Sequence, residues 1–329
     1  MDEEDAITLL LKAAHQPGLD DYKDPNRWML ARSIVSALGC LALAFTQAGA
    51  TIQRRLQTLE TYLQVYEKEM IMTKLLPPTR SNSEGKEKEK ERCIRITYEI
   101  SFNDTKESQD LASIDAIEIL HIFAFLHFQQ IPEAIFRHAW NNLQLLRIPS
   151  PIESDRKLAL WPKQAHWDGQ QENLVKTRLP GILLQSTWDD RRLHDALAVL
   201  NELSFIYYDD AKQMCWMHPM VHLWARNHLE LEDQKYWLET TITLVAYSIS
   251  PNLEPSGRDY RCILIPHFAN CLQVWQSNAR SGVHGIDTVR ASASDRFAAV
   301  YAEVGDWGKA RELYVKVHSF LQIHTDQTL

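Results

Sequence analysis

The stretch that decides the fold is Phe205-Ile-Tyr-Tyr-Asp-Asp-Ala-Lys-Gln-Met-Cys-Trp-Met-His-Pro-Met-Val-His-Leu-Trp-Ala-Arg226. Two short aromatic and apolar runs, 205–208 and 214–217, flank a polar turn, and this arrangement predicts a β-hairpin. Pro219 stands where proline is best tolerated, in the first turn of a helix, and apolar residues follow it at helical spacing. Upstream, leucines at 193, 197, 200 and 203 line one face of a helix that leads into the hairpin.

The order helix, β-wing, helix is the outline of a winged-helix domain. The segment 216–226 resembles the end of that domain in NOD-like receptors of the NB-ARC type, which belong to the STAND class. It is most similar to fungal NB-ARC proteins with tetratricopeptide repeats, where Met-His-Pro replaces Met-His-Asp. In that family the histidine reaches the phosphates of a bound ADP and helps hold the receptor closed. The resemblance implies this sensor role for His218.

Composition fits an ordinary globular protein of two or three domains. The chain has 329 residues, 45% hydrophobic and 24% charged, with few glycines, which favours a mainly α-helical fold. A net charge of −8 argues against a general binder of nucleic acids or anionic membranes. Five cysteines without framework spacing indicate reduced thiols. The acidic start and the lack of a long apolar run predict a cytoplasmic protein.

The N-terminal region, 1–72, is predicted to form a helical domain. Apolar periodicity marks helices at about 6–14, 26–43 and 59–70. The segment 37–52 resembles the Gly-Leu-Pro-Leu-Ala-Leu motif of the NB-ARC helical domain, whose proline lies against the nucleotide. Ala42 occupies that proline position, so the resemblance implies a nucleotide contact there, with the proline ring missing.

The rest of the chain divides by composition. Residues 73–92 are rich in Pro, Ser, Lys and Glu and are predicted to be a flexible charged linker, although the Lys/Glu run could also extend a helix. The winged-helix domain is expected at 93–230, with an apolar helix at 115–128 and another starting near Pro132. Residues 145–180 show no clear period. Linking helices are expected at 231–288, followed at 289–329 by one truncated tetratricopeptide repeat.

No catalytic constellation is present in the sequence. The two Gly-Lys pairs, Gly85-Lys86 and Gly308-Lys309, lack the Ser or Thr of a phosphate-binding loop. Cys215, His218 and His222 are spaced like metal ligands, but a structural zinc site needs four, so no metal is expected. We therefore predict no enzyme activity and no cofactor for this chain alone. ADP or ATP is implied only for an intact family member.

The resemblance implies a regulatory and interaction portion of an NB-ARC–tetratricopeptide receptor, which would control the ADP-locked state. Its expected partners are proteins bound through the helical repeat region, a separate nucleotide-binding chain, or other copies of itself. One alternative is a nucleic-acid regulator that uses Arg191, Arg192 and His194 on the helix before the wing, where neighbouring acidic residues would repel phosphates. A gene-model fragment without independent function is the other alternative.

Overall fold

The computed structural model describes residues 2–14, 24–39, 41–75, 85–147, 179–250, 253–279 and 288–326. Within these ranges the chain is mainly helical with one small antiparallel sheet, so the predicted fold class is confirmed. The helices are α1 (Glu3–Ala13), α2 (Pro25–Ala37), α3 (Ala42–Gln53), α4 (Leu59–Leu75), α5 (Gly85–Ser108), α6 (Leu111–Phe123), α7 (Ala134–Arg147), α8 (Asp190–Glu202), α9 (Pro219–Asn227), α10 (Leu231–Ser248), α11 (Arg258–Ala279), α12 (Thr288–Glu303) and α13 (Trp307–Asp326). The strands are β1 (Ile131–Pro132), β2 (Tyr207–Asp209) and β3 (Met214–Trp216).

The chain forms two compact units, and neither is continuous in sequence. Unit 1 comprises 1–120, 191–207 and 217–225, and unit 2 comprises 121–190, 208–216 and 226–329. No helix in the described ranges is both long enough and apolar enough to cross a membrane.

Unit 1 is built on α1 to α5. The Asp2 carboxylate accepts a hydrogen bond from the Asp5 amide at 2.8 Å and so caps α1. Ile7, Phe45 and Tyr62 are among the fully buried side chains of its core. Helices α1 and α3 approach so closely at Gly49 that a Cβ there would lie 2.9 Å from the carbonyl carbon of Ala13. The lack of a side chain at Gly49 therefore allows α1 and α3 to pack this closely.

The structure differs from the sequence prediction between α2 and α3. One helix was expected over 26–43, but the chain turns after Ala37 and restarts at Ala42. Gly39 has a φ of +65°, a left-handed conformation that glycine adopts without steric cost and that ends helices. The prediction of a continuous helix is therefore wrong at this turn.

The predicted linker differs as well, in the part that the structure describes. Residues 85–92 form the first turns of α5, and the boundary expected at 92–93 falls inside that helix. The alternating Lys/Glu run places opposite charges three residues apart and like charges four apart, so the charges give no net preference, but Lys and Glu both have high intrinsic helix propensity. The run continues directly into the apolar segment 94–102, which packs in unit 1. Residues 76–84 lie outside the described ranges.

The small sheet confirms the predicted β-hairpin and extends it. The strand order is β1-β3-β2, so the two predicted hairpin strands gain a third. Strand β1 pairs antiparallel with β3, Ile131 opposite Cys215 and Pro132 opposite Met214. The sequence suggested that Pro132 begins a helix, but α7 starts only at Ala134. Long-range pairing leaves no local periodicity, and for this reason β1 was missed.

The C-terminal part of unit 2 is helical. Phe268 of α11 and Phe297 of α12 stack with their ring centroids 4.5 Å apart, and both are fully buried. Between α12 and α13 the chain turns at Gly305, whose φ is +84°. The Asp306 carboxylate then accepts a hydrogen bond from the Lys309 amide at 3.2 Å. Helices α12 and α13 thus form an antiparallel helical hairpin at the place where the sequence predicts a repeat.

Candidate functional site

The predicted sensor His218 lies at the beginning of α9 and is exposed to solvent. Its Nδ1 accepts a hydrogen bond from the Met220 amide at 3.1 Å, and its carbonyl accepts one from the His222 amide at 3.0 Å. His218 therefore acts as the N-cap of α9, satisfying an amide that the helix leaves without a partner. Since Nδ1 is the acceptor, the neutral ring carries its proton on Nε2. The exposed edge of the ring is a hydrogen-bond donor.

An aromatic cluster in unit 1 fixes the position of α9. Trp224 stacks on Phe205 with 5.6 Å between ring centroids and lies 5.5 Å from the ring of Tyr98. Phe102 meets the same indole edge-on at 5.9 Å. All four side chains are at most 5% exposed. Each pair of rings in such tilted and stacked geometries contributes about 0.5–1.5 kcal/mol of stability beyond the burial of its area. The cluster therefore holds α9 in place through Trp224.

Polar groups around this cluster show the effect of burial. The Trp224 indole N–H donates to the Glu99 carboxylate at 3.4 Å. Burial raises the pKa of the Tyr98 hydroxyl, and this hydroxyl makes no hydrogen bond to any described residue. Burial also raises the pKa of Asp104, although the Gln57 amide donates to both of its carboxylate oxygens.

The second predicted nucleotide contact, Ala42, is the first residue of α3 and is also exposed. Its N-cap, Leu41, provides no side-chain hydrogen bond to the helix. Both sequence-predicted positions therefore lie at solvent-exposed helix N-termini of unit 1, where the helix dipole favours anions. The turn before α3, which the sequence did not predict, places Ala42 at a helix start.

Helix α8 carries the three candidate nucleic-acid contacts, and one of them, Arg192, forms an ion pair within the fold. Arg192 donates two hydrogen bonds to the Asp115 carboxylate, at 2.5 Å and 2.7 Å. The two side chains are 15% and 1% exposed. Arg191 is exposed and His194 is half-buried. Of the three candidate contacts, Arg192 is thus used within unit 1 to hold α8 against α6.

The residues considered as metal ligands lie in different settings. Cys215 is buried in β3, and burial raises the pKa of its thiol. His222 is buried on α9, whereas His218 is exposed. In the part of the chain that the structure describes, no group of three or more His, Cys, Asp or Glu side chains is placed to hold a metal ion.

Unit 2 contains a set of polar contacts that sequence reasoning missed. The Arg226 guanidinium donates twice to the Ala124 carbonyl, at 3.0 Å and 2.8 Å, just past the end of α6. The Asn270 amide donates to the Phe125 carbonyl at 2.8 Å. His267 Nε2 pairs with the Gln130 carbonyl at 3.1 Å, and burial lowers the pKa of this histidine to about 4. These side chains fix the loop 124–130 through its backbone carbonyls, a role that a sequence pattern does not mark.

Comparison with protein-family models, with curated proteins and with solved structures gives no match for this chain.

Proposed function

We propose that the chain is the non-catalytic regulatory and interaction portion of a cytoplasmic NB-ARC–tetratricopeptide receptor. In such a receptor it would stabilise the ADP-bound resting state of a phosphate-loop domain. The proposal is supported by the order of the motifs along the sequence, and above all by the setting of His218.

The geometry of His218 carries the proposal. Its Nδ1 is engaged by the Met220 amide, so the ring has a defined orientation and one protonated nitrogen, Nε2, on the exposed side. A ring held in this way offers a single donor to an external acceptor. A phosphate oxygen of a nucleoside diphosphate is such an acceptor, and the positive end of α9 favours its charge.

Ala42 gives weaker support. At an exposed helix start it leaves room for a ligand beside α3, but it lacks the ring that the family's proline lays against the nucleotide. The sequence also has no Gly-Lys-Ser/Thr loop, and nucleotide hydrolysis requires the amides and hydroxyl of that loop. The proposed role is therefore to contact a nucleotide held mainly by another domain.

Calorimetric titration of ADP and of Mg-ATP into the purified chain is the first test. We expect no detectable binding, since the chain lacks a phosphate loop. Binding that disappears in a His218→Ala variant would overturn the proposal and show a nucleotide site formed without that loop.

A second test adds the chain to the ADP-loaded nucleotide-binding domain of a fungal NB-ARC receptor and follows release of a fluorescent ADP. We expect the chain to slow release, and His218→Ala to remove the effect. His218→Asn is the matched variant, because its side chain can still cap α9 while its amide N–H groups lie closer to the backbone than Nε2 and do not reach the same acceptor. Slowing that persists in His218→Asn would contradict the sensor role.

A further inference from the structure

The outward face of α13 carries large side chains that the fold leaves exposed. Trp307 is 69% exposed, Val315 56% and Tyr314 40%. Positions 307, 311, 314 and 318 follow the spacing of one helical face, so exposed Arg311 and His318 lie along the same line. We call these five residues the α13 stripe. At 1.5 Å per residue the stripe is about 17 Å long.

Most of the stripe lies away from the contact between α13 and α12. The helix packs on α12 through Ala310 and Leu313, which are 2% and 3% exposed, and Tyr314, 40% exposed, also lies near Asp295 of α12. Isolated exposed apolar residues are common, but a row of them along one helix face marks an interaction surface. Trp, Tyr and Arg are also the residue types that contribute most to binding at protein interfaces.

The charges of α13 indicate what kind of surface fits the stripe. Lys309 is paired with Asp306 at 3.0 Å, and Lys316 with Glu312 at 2.7 Å. Arg311 forms no ion pair with any described residue and stands between the aromatic positions of the stripe. Residues 307–317 include three basic side chains and one acidic one, in a chain whose net charge is −8. The stripe is locally basic, and its one unmatched cation is at its centre.

We propose that the α13 stripe binds an amphipathic helix of a partner protein that presents apolar residues flanked by carboxylates. This inference rests on the proposed function, because it names the partner that such an interaction module would take. Apolar side chains of the partner would cover Trp307 and Tyr314, and a carboxylate would pair with Arg311. A helix of about 12 residues matches the length of the stripe.

A second copy of the chain fits the stripe less well. If two α13 helices pack antiparallel about residues 314 and 315, Arg311 of each copy faces His318 of the other. If they pack parallel, Arg311 faces Arg311. The parallel arrangement brings two guanidinium groups together, and the antiparallel one gives Arg311 no carboxylate from the stripe of the other copy, whereas interfaces favour opposite charges.

The experiment titrates the full chain into a fluorescein-labelled 18-residue peptide with leucines at helical spacing and glutamates flanking them. We expect an anisotropy increase with a Kd on the order of 10 μM at low salt, weakening as salt rises. Trp307→Ala and Arg311→Glu should each weaken binding at least about tenfold. Met29→Ala is the matched control, since Met29 is 64% exposed on α2 and should leave binding unchanged. A peptide with lysines in place of the glutamates should not bind.

Three results would overturn the inference: no binding of the acidic peptide, equal binding by Trp307→Ala, or equal binding of the lysine peptide. Self-association of the chain that Trp307→Ala abolishes would make a second copy the occupant and would also overturn it. The ADP-release assay on the same variants separates this failure from that of the proposed function. ADP retention without peptide binding removes the partner inference alone, and peptide binding without any effect of His218→Ala on ADP release removes the proposed function alone.

Discussion

The buried ion pair between Asp115 and Arg192 gives a quantitative test of how unit 1 is held together. The Asp115→Asn variant keeps the size of the side chain and removes its charge, so the Arg192 guanidinium, 15% exposed, loses the counter-charge of Asp115. The guanidinium loses two charge-assisted hydrogen bonds of 2.5 Å and 2.7 Å. Breaking one partner of a buried pair costs about 3–5 kcal/mol, so we expect the free energy of unfolding to fall by about 3 kcal/mol or more.

An exposed pair of similar length provides the matched control. Glu232 and Lys235 on α10 are 2.7 Å apart, but their side chains are 83% and 42% exposed. Solvent screens this pair, and Glu232→Gln should therefore cost less than about 1 kcal/mol. The comparison isolates burial as the cause, since the distances are nearly the same.

The free energy of unfolding is measured by urea titration, followed by circular dichroism at 222 nm. The variants are Asp115→Asn, the control Glu232→Gln, Arg192→Met, and the double variant Asp115→Asn/Arg192→Met, which completes a double-mutant cycle. We expect the double variant to be more stable than the Asp115→Asn single variant, because it no longer buries a guanidinium that has lost the Asp115 counter-charge. If Asp115→Asn costs no more than Glu232→Gln, or if the cycle shows no coupling, Arg192 is not committed to the fold. It would then be available as the nucleic-acid contact that the alternative function requires.

Three further predictions concern single buried positions. Burial lowers the pKa of His267 to about 4, so the unfolded chain binds more protons between pH 6.5 and 4. The contribution of neutral His267 to the free energy of unfolding is therefore complete above pH 6.5 and is lost as the pH falls, by about 3 kcal/mol in total. In urea unfolding at several pH values, His267→Gln should remove that part of the pH dependence. Gly49→Ala should destabilise by about 1–3 kcal/mol, because its Cβ would meet the backbone of Ala13, whereas Gly308→Ala, whose Cβ would make only an ordinary contact at 3.8 Å with Asp306 Oδ1, should be neutral or stabilising in thermal melts. Tyr98→Phe should leave the free energy of unfolding unchanged or raise it, since the buried hydroxyl has no partner among the described residues; a loss above about 1 kcal/mol would point to a hydrogen bond outside them.

Local patterns in the sequence predicted much of this fold. The leucine row of α8, the hairpin and the proline at the start of α9 were all visible as periodicity and turn chemistry. The third strand and the turn before α3 were not, because β1 depends on a partner some 80 residues away and the turn depends on one left-handed glycine. In the Lys/Glu run, composition suggests a loop, whereas the high helix propensity of Lys and Glu and the apolar segment that follows favour the helix that is present.

The candidate site was located by sequence but not explained by it. A resemblance pointed to His218, and only coordinates show that its Nδ1 caps α9. Periodicity also cannot tell a buried ion pair from two surface charges, and so Arg192 was taken as a candidate nucleic-acid contact. Side-chain-to-carbonyl contacts such as that of Arg226 depend on where distant segments meet, and no local pattern marks them.

The discontinuous composition of unit 1 has a consequence for how the chain is made. Its first segment ends at residue 120 and its last at residue 225, with most of the intervening chain belonging to unit 2. At about 5–20 residues per second, a ribosome needs roughly 5–20 s to pass from one to the other. During that interval Tyr98 and Phe102 have been synthesised, but Trp224, which covers them, has not. The nascent protein therefore exposes an aromatic surface, and a chaperone that binds aromatic segments has its best opportunity before residue 225 is made.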